Sequence, residues 1–347
     1  MRILHLAPLW FPVSRHAPGG IETFLAALLP ELQNLGYQCT LLATGDSQVE
    51  VELTPVVPTN LVAQMERQTA AEYAYYEQHQ LAMALRLVGD YDIIHSHLGS
   101  GGYLLSSVPE MTAHVAHTQH NPVTPDLAWF VGRHPDLWLT TVSRFQAEKL
   151  WQQGAARCQV IYNGITLSAF PFQPCAGEDL VFLGRIEAEK GADLAVQTAR
   201  HAGRRLTLAG PITDYQFFVS TVEPFLGDDI RYIGTVDHQQ KIALLGAAGC
   251  ALLPSRWDEP FGLVAIEAMA CGTPVVALAS GALPEVVDQG ITGLVTSDCD
   301  DLPKLVSRAL TMNRRAVRDH AASRFDLHPV AQRYAALYEQ ITASRSV

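Results

Sequence analysis

The sequence is poor in positive charge and in paired cysteines. Its 24 Lys and Arg stand against 35 Asp and Glu, a formal net charge of −11 with histidine counted neutral. No global field therefore draws the chain to nucleic acid or to an anionic membrane. A phosphate-bearing ligand must be met by a local arrangement that works against the overall charge. Six cysteines, at positions 39, 158, 175, 250, 271 and 299, lie far apart with no CxxC or CxxH pair, a spacing unlike a disulfide framework or a zinc site. Also missing is any apolar run approaching the ~20 residues that a membrane-spanning helix needs. The opening MRILHLAPLWFP is interrupted by Pro8, Trp10 and Pro12, with no small-residue cleavage site after it. It reads as a first strand, not a signal peptide, and the protein is expected to be cytoplasmic. Neither GxGxxG nor GxxxxGKS/T occurs, which sets aside a standard dinucleotide dehydrogenase and a P-loop NTPase.

What the sequence does hold is apolar patterning. Hydrophobic residues make up 48% and charged residues only 17% of 347 positions, enough to bury large cores. At roughly 100–200 residues per domain the length points to two domains. Runs rich in Ile, Val and Leu alternate with amphipathic segments of helical length, the pattern of parallel sheets covered by helices on both faces. The first half reads as strands at 2–7, 38–43, 92–97, 113–118, 138–142 and 159–162, with helices near 21–35, 63–88 and 143–153. PFQPCAGED (171–179), with two prolines, a glycine and acidic residues, resembles a linker. Beyond it, strands at 180–184, 205–209, 230–233, 250–254, 274–277 and 291–296 alternate with helices near 190–202, 214–226, 238–248, 261–271 and 301–312. The expected fold class is α/β, two doubly wound Rossmann-like domains, 1–170 and 171–329, facing a deep cleft. A helix over 330–347 carries the stripe Val330, Tyr334, Leu337, Tyr338 and Ile341, and either caps the second domain or crosses back to the first. Ligands of such folds bind beyond the carboxyl ends of the strands, so the loops there carry the candidate chemistry.

Three of those loops stand out. Gly19-Gly20 precede the first long helix, where backbone N–H groups and the helix dipole suit a phosphate; a mobile turn is the alternative. Gly184-Arg185 end a strand and Lys190-Gly191 open the next helix. A guanidinium fork and an ammonium together can neutralise a diphosphate, while two solvated cations paired with Glu187 and Glu189 would be the plain reading. The sharpest signal is PSRWDEPFGLVAIEAMACGTPVVA (254–277). Glu267 follows Glu259 by eight positions, about two helical turns along one face, and carboxylates so placed can accept hydrogen bonds from vicinal sugar hydroxyls. A helix-start acid and a solvated glutamate would be the ordinary account, but Glu267 lies among Val264, Ala265, Ile266, Ala268, Met269 and Ala270, where a carboxylate is costly without a partner.

Together EPFGLVAIEAMACGTPVVA, GRIEAEKG, the N-terminal GGIE and VIYNGI (160–165) resemble the family-four retaining glycosyltransferases of GT-B type (glycosyltransferases group 1), over nearly the whole chain. The resemblance implies a hexose moved from a nucleotide diphosphate sugar, guessed as UDP with GDP possible, to a small-molecule, saccharide or other hydroxyl acceptor. It implies front-face displacement with retention and no cofactor. Arg185 and Lys190 would bind the diphosphate, and Glu267 the ribose hydroxyls. Glu259 would contact the transferred sugar. Gly184, Phe261, Gly262, Leu263 and Val264 would line the donor, with Gly19 and Gly20 completing the phosphate site. The resemblance places His120, in HVAHTQHNP (114–122), near the reacting carbon, with His114 and His117 outside that position. His95 and His97 are given a structural or acceptor-lining role. Asp90-Tyr91-Asp92 and Asp298-Cys299-Asp300 could each hold Mg²⁺ or Mn²⁺ in isolation but read as turn acids. The rival readings are a GT-B nucleotide-sugar epimerase and a non-catalytic nucleotide-sugar-binding protein. With no basic anchor in sight, a soluble acceptor is preferred, chosen by the loops around 9–18, 44–62 and 97–103.

Overall fold

The computed structural model describes residues 1–108 and 114–344. The expected strand start at 113 and the last three residues of the expected C-terminal helix lie outside them. Two parallel sheets form among the described residues. The first contains β1 (Arg2–Leu6), β2 (Gln38–Thr44), β3 (Glu52–Val57), β4 (Ile93–Ser96), β5 (Val115–Gln119), β6 (Trp138–Thr141) and β7 (Cys158–Val160), in the order β3-β2-β1-β4-β5-β6-β7. The second contains β8 (Leu180–Leu183), β9 (Leu206–Ala209), β10 (Ile230–Tyr232), β11 (Cys250–Leu253), β12 (Val275–Leu278) and β13 (Gly293–Thr296), in the order β10-β9-β8-β11-β12-β13. All neighbouring pairs are parallel. Each sheet grows outward from its first strand in one direction and then resumes on that strand's other side. The reversal falls between β1 and β4 and between β8 and β11, and at such a point the crossovers part and leave a crevice at the strands' carboxyl ends.

The chain packs as two units, Met1–Gly164 with Leu327–Val347, and Ile165–Asp326. The division falls ahead of the expected boundary at 171 because the linker-like stretch is docked onto the second unit. The Ile165 N–H donates to Phe325 O at 2.9 Å, and Arg314 Nε to Gln173 O at 2.8 Å. The C-terminal helix Leu327–Ala343 belongs to the first unit. It buries Leu327, Val330, Ala331, Tyr334, Leu337, Tyr338 and Ile341, one stripe at helical spacing, among Phe24, Leu25, Leu28 and Leu32 of the helix Gly20–Asn34.

Several elements depart from the sequence pattern. β3 lies within 44–62, expected to be loop; it carries Pro55, which an edge strand tolerates since one side of its backbone needs no ladder partner. The long helix expected over 63–88 is two, Leu61–Glu66 and Tyr73–Leu87, parted near Gln68, whose φ of 58° is left-handed. Helices Pro125–Val131, Leu283–Val286 and Arg314–Phe325 had no counterpart in the sequence reading.

The burial of the C-terminal stripe predicts that Leu337→Ala, which empties a fully buried position, lowers stability by about 2–5 kcal/mol in urea unfolding. A loss below about 0.5 kcal/mol would mean that this helix is not part of the first core.

Candidate functional site

In the second unit both motif loops leave the carboxyl ends of the two central strands, β8 and β11, which are hydrogen-bonded neighbours. The loop after β8 carries Gly184, Arg185 and Lys190, and the loop after β11 runs from Pro254 to Gly262. They are laced together. The Arg256 guanidinium grips both oxygens of Asp193 at 2.7 Å, and its backbone N–H donates to Glu189 O at 2.7 Å. Gly191 sits against this seam at φ +74°, where a Cβ would lie 2.1 Å from the Pro254 carbonyl oxygen, so only glycine allows the approach.

Across the seam Lys190 Nζ pairs with Glu259 Oε1, both side chains largely withdrawn from solvent at 19% and 12% exposure. The ammonium also lies 4.4 Å from the centroid of the Trp257 ring, and the Arg185 guanidinium 5.9 Å from it. An aromatic face attracts both cations and offsets part of their mutual repulsion. Sequence reasoning assigned Trp257 no part, although it stands in the motif two residues before Glu259. Arg185 is exposed and pairs with Glu187 at 2.9 Å, as the plain reading had it, whereas Lys190 reaches Glu259 and not Glu189.

Glu267 meets a different lysine. Lys241 Nζ lies 2.5 Å from Glu267 Oε1, and it is placed there by the helix His238–Ala247, which opens with a reciprocal capping box between Asp237 and Gln240. This partner was missed, because nothing local in the sequence links the two. The expected geometry of two carboxylates along one helical face is corrected. Gly262 adopts φ +95° as the N-cap, the helix begins only at Leu263, and Glu259 lies outside it. Glu259 and Glu267 belong to two separate ion pairs. Phe261 is buried with its ring edge-on to Phe325 at 5.8 Å, so its side chain serves packing. The Leu263 and Val264 amides open the helix, where no earlier helical carbonyl stands to accept them.

In the first unit Gly19 is the N-cap of the helix Gly20–Asn34 and has no side-chain cap. Glu22 tucks beneath it, with Oε2 only 1.9 Å from where a Gly19 Cβ would stand. The chain's own acid thus lies at the helix start to which a phosphate was assigned. Burial pushes the Glu22 carboxyl up to about 7, against a smaller opposing effect of its own backbone N–H.

The histidines divide by strand register. His5 lies opposite His95, and Ser96 opposite His117, so His5, His95, His97, Thr118 and His120 share one face while His117 lies on the other. On the shared face His95 bonds Tyr338 and Thr118, each at 2.7 Å, and Thr118 bonds Thr140 at 2.6 Å. His5 Nδ1 lies 3.3 Å from His97 Nε2, and His97 Nδ1 lies 3.0 Å from His120 Nε2. His120 follows the last residue of β5, partly exposed and edge-on to Phe24 at 5.8 Å. On the opposite face His117 bonds Ser106 at 2.6 Å. His114 enters β5 at its far end, with Nδ1 3.4 Å from Asp92 O. Burial lowers His5, His117 and His120 to about 3. Burial, with the neighbouring histidines adding to it, holds His95 and His97 well below the usual range. At neutral pH these rings are uncharged.

Two groups among the described residues are close enough to share a cation, His5 with His95 and His97, and Asp298 with Cys299 and Asp300. Both nitrogens of His95 are already engaged. Asp298 Oδ1 accepts the Asp300 N–H at 3.0 Å, closing a turn. Asp92 Oδ2 accepts the Arg2 N–H at 2.7 Å just before β4, at the amino end of its sheet.

Glu22 yields a signed prediction. Its folded pKa of about 7 exceeds the ordinary 4.5, so the native state holds a proton that the unfolded chain has lost between those values. The share of stability that Glu22 contributes then falls as pH rises through that window and levels above it, while the buried neutral histidines act in the opposite sense up to about 6.5. In urea midpoints taken from pH 4.5 to 8, the histidines cancel in the difference between the two proteins, and wild type should lose stability relative to Glu22→Gln as pH rises to about 7. Parallel profiles for wild type and variant would contradict the burial argument.

Comparison with known proteins agrees with this architecture. Residues 18–169 match the family Glycosyltransferase Family 4, and residues 174–324 match Glycosyl transferases group 1. A glycogen synthase of Mycobacterium tuberculosis is 35% identical over 61% of this chain and 55% of its own length, so the match spans about half of that relative. A D-inositol 3-phosphate glycosyltransferase of Mycolicibacterium smegmatis is 25% identical over 92% of this chain and 86% of its own. Among solved structures AviGT4, a glycosyltransferase involved in avilamycin A biosynthesis, superposes with a TM-score of 0.75 at 26% identity, covering 99% of this chain and 98% of that one. HepE of Anabaena, in complex with UDP and glucose, shares the fold with a TM-score of 0.75 at 17% identity, over 98% of this chain and 100% of that one. With two adjoining family matches and two doubly wound units, the chain belongs to the group 1 (family 4) glycosyltransferases of GT-B fold.

Proposed function

We propose that this chain is a retaining hexosyltransferase that takes a nucleoside diphosphate sugar and needs no metal. The observation that carries the reading is the convergence of Arg185, Lys190 and Glu259 on the loops after β8 and β11, at the point where the strand order reverses. Lys190 has three N–H donors and uses one on Glu259; the others, with the Arg185 fork, suit the diphosphate oxygens. Glu259 Oε2 and Glu267 Oε2 keep lone pairs for hydroxyls of the sugar and the ribose. HepE, a fold relative, is described with UDP-glucose bound, which favours a uridine donor.

In this reading the bond from the anomeric carbon to the diphosphate oxygen breaks while the acceptor oxygen bonds to that carbon on the same face. The acceptor proton passes to the departing phosphate oxygen. The electron pair of the broken bond stays on the diphosphate, where Arg185 and Lys190 stabilise it. His120, at the end of β5, hydrogen-bonds the sugar. Catalysis rests on positioning and charge, because among the described residues the motifs supply no carboxylate pair of the glycosidase type. The formal charge of −11 favours an acceptor in solution over one on an anionic membrane.

Nucleotide release measured with and without acceptor sugars tests the proposal. Release should require acceptor and survive EDTA. Interconversion of the donor without acceptor would support an epimerase instead, and activity abolished by EDTA and restored by Mg²⁺ or Mn²⁺ would refute the metal-free step. Glu259→Ala should lower kcat/KM by about 10–150-fold, the equivalent of a charged hydrogen bond worth roughly 1.5–3 kcal/mol. Turnover within about threefold of wild type would remove Glu259 from the donor site.

A further inference from the structure

The row of histidines on the first sheet does more than fill its interior. His5 and His97 are fully buried, and they join His120 through two ring-to-ring contacts, 3.3 Å from His5 Nδ1 to His97 Nε2 and 3.0 Å from His97 Nδ1 to His120 Nε2. A neutral imidazole has one N–H and one lone pair. Each contact needs one of each, so the direction of one hydrogen bond dictates the direction of the other.

Only two patterns satisfy both contacts. If the bonds run inward, every ring carries its proton on Nε2, and His5 is left with a buried N–H on Nε2, an atom that has no hydrogen-bond partner. If they run outward, every ring carries its proton on Nδ1. His5 then leaves only a lone pair unmatched in the core, and His120 offers an Nδ1–H on its partly exposed side. An orphaned buried N–H is the rarer defect in proteins, and this selects the outward pattern.

We propose that His5 and His97 are positioning residues that hold His120 as the neutral Nδ1–H form, the hydrogen-bond donor that the functional reading assigns to an oxygen of the transferred sugar. The proposal rests on the functional reading above for the ligand, but not for the relay. Removing the ring at 97 frees His120 to rotate and to exchange tautomers. The substitution His97→Asn would restore a donor to His120, since the amide NH₂ of asparagine can take the place of the ring Nδ1–H.

The relay is tested on the full chain labelled with ¹⁵N-histidine, by long-range ¹H–¹⁵N correlation, with His5, His97 and His120 assigned by single substitutions. Protonated Nδ1 signals at all three positions are expected, as is loss of the single His120 tautomer in His5→Phe, although residues 5 and 120 are not in contact. A His120 that carries its proton on Nε2 would overturn the proposal. In transfer assays His97→Phe should lower kcat about tenfold, the scale of one lost hydrogen bond, with the donor KM within about twofold, and His97→Asn should recover most of the loss. Equal losses in both variants would reduce His97 to a packing role. If instead the tautomers are as expected but His120→Ala leaves transfer unchanged, the assignment of His120 to the sugar fails and the relay stands.

Discussion

The ion pair between Lys190 and Glu259 is the constraint on which the geometry of the proposed donor site depends. It joins the loop after β8 to the loop after β11, and these are the loops that the reversal of strand order brings together. A lysine this far withdrawn from water is held by a carboxylate on one side and the Trp257 ring on the other. Removing either charge would strand the other, which costs more than the pair itself contributes. The seam beneath it, Arg256 on Asp193 and the Gly191 backbone against Pro254, gives the pair a rigid base. A site that depends on charge placement needs such preorganisation, since donors that must first be ordered lose much of their effect.

The first unit solves a different problem with uncharged groups. A polar stripe runs across β1, β4, β5 and β6, and the tyrosines of the C-terminal helix supply it with partners from the far end of the chain. Tyr334 and Tyr338 are fully buried, and their hydroxyls find partners in Thr118 and Thr140 and in His95, respectively. The return of the helix to this unit and the polarity of the sheet face therefore depend on one another.

Much of this was legible in the sequence, for identifiable reasons. The strands that cross the middle of each sheet are apolar runs between turn residues, and Val330, Tyr334, Leu337, Tyr338 and Ile341 keep helical spacing into the core. The loops with Arg185, Lys190 and Glu259 were found because cations and acids in an apolar chain stand out beside glycines. Features that depend on long-range partners were not legible. Lys241 meets Glu267 only through the packing of two helices, and the helix start at Leu263 follows from the left-handed Gly262. The hydrogen-bonded row from His5 to His120 required strand register, which periodicity alone does not provide. β3 falls in a stretch expected to be loop, and its place at the sheet edge, where Pro55 is tolerated, was set by the topology.

The account stands on Lys190 being a diphosphate ligand held in place by Glu259. The most direct test is calorimetric titration of wild type and Lys190→Met with UDP and with GDP at low ionic strength, following whichever nucleotide the wild type binds. The account predicts that the variant remains folded and binds that nucleotide at least about tenfold more weakly, the loss of a charge-assisted hydrogen bond. Affinity in the variant within about twofold of wild type would contradict it.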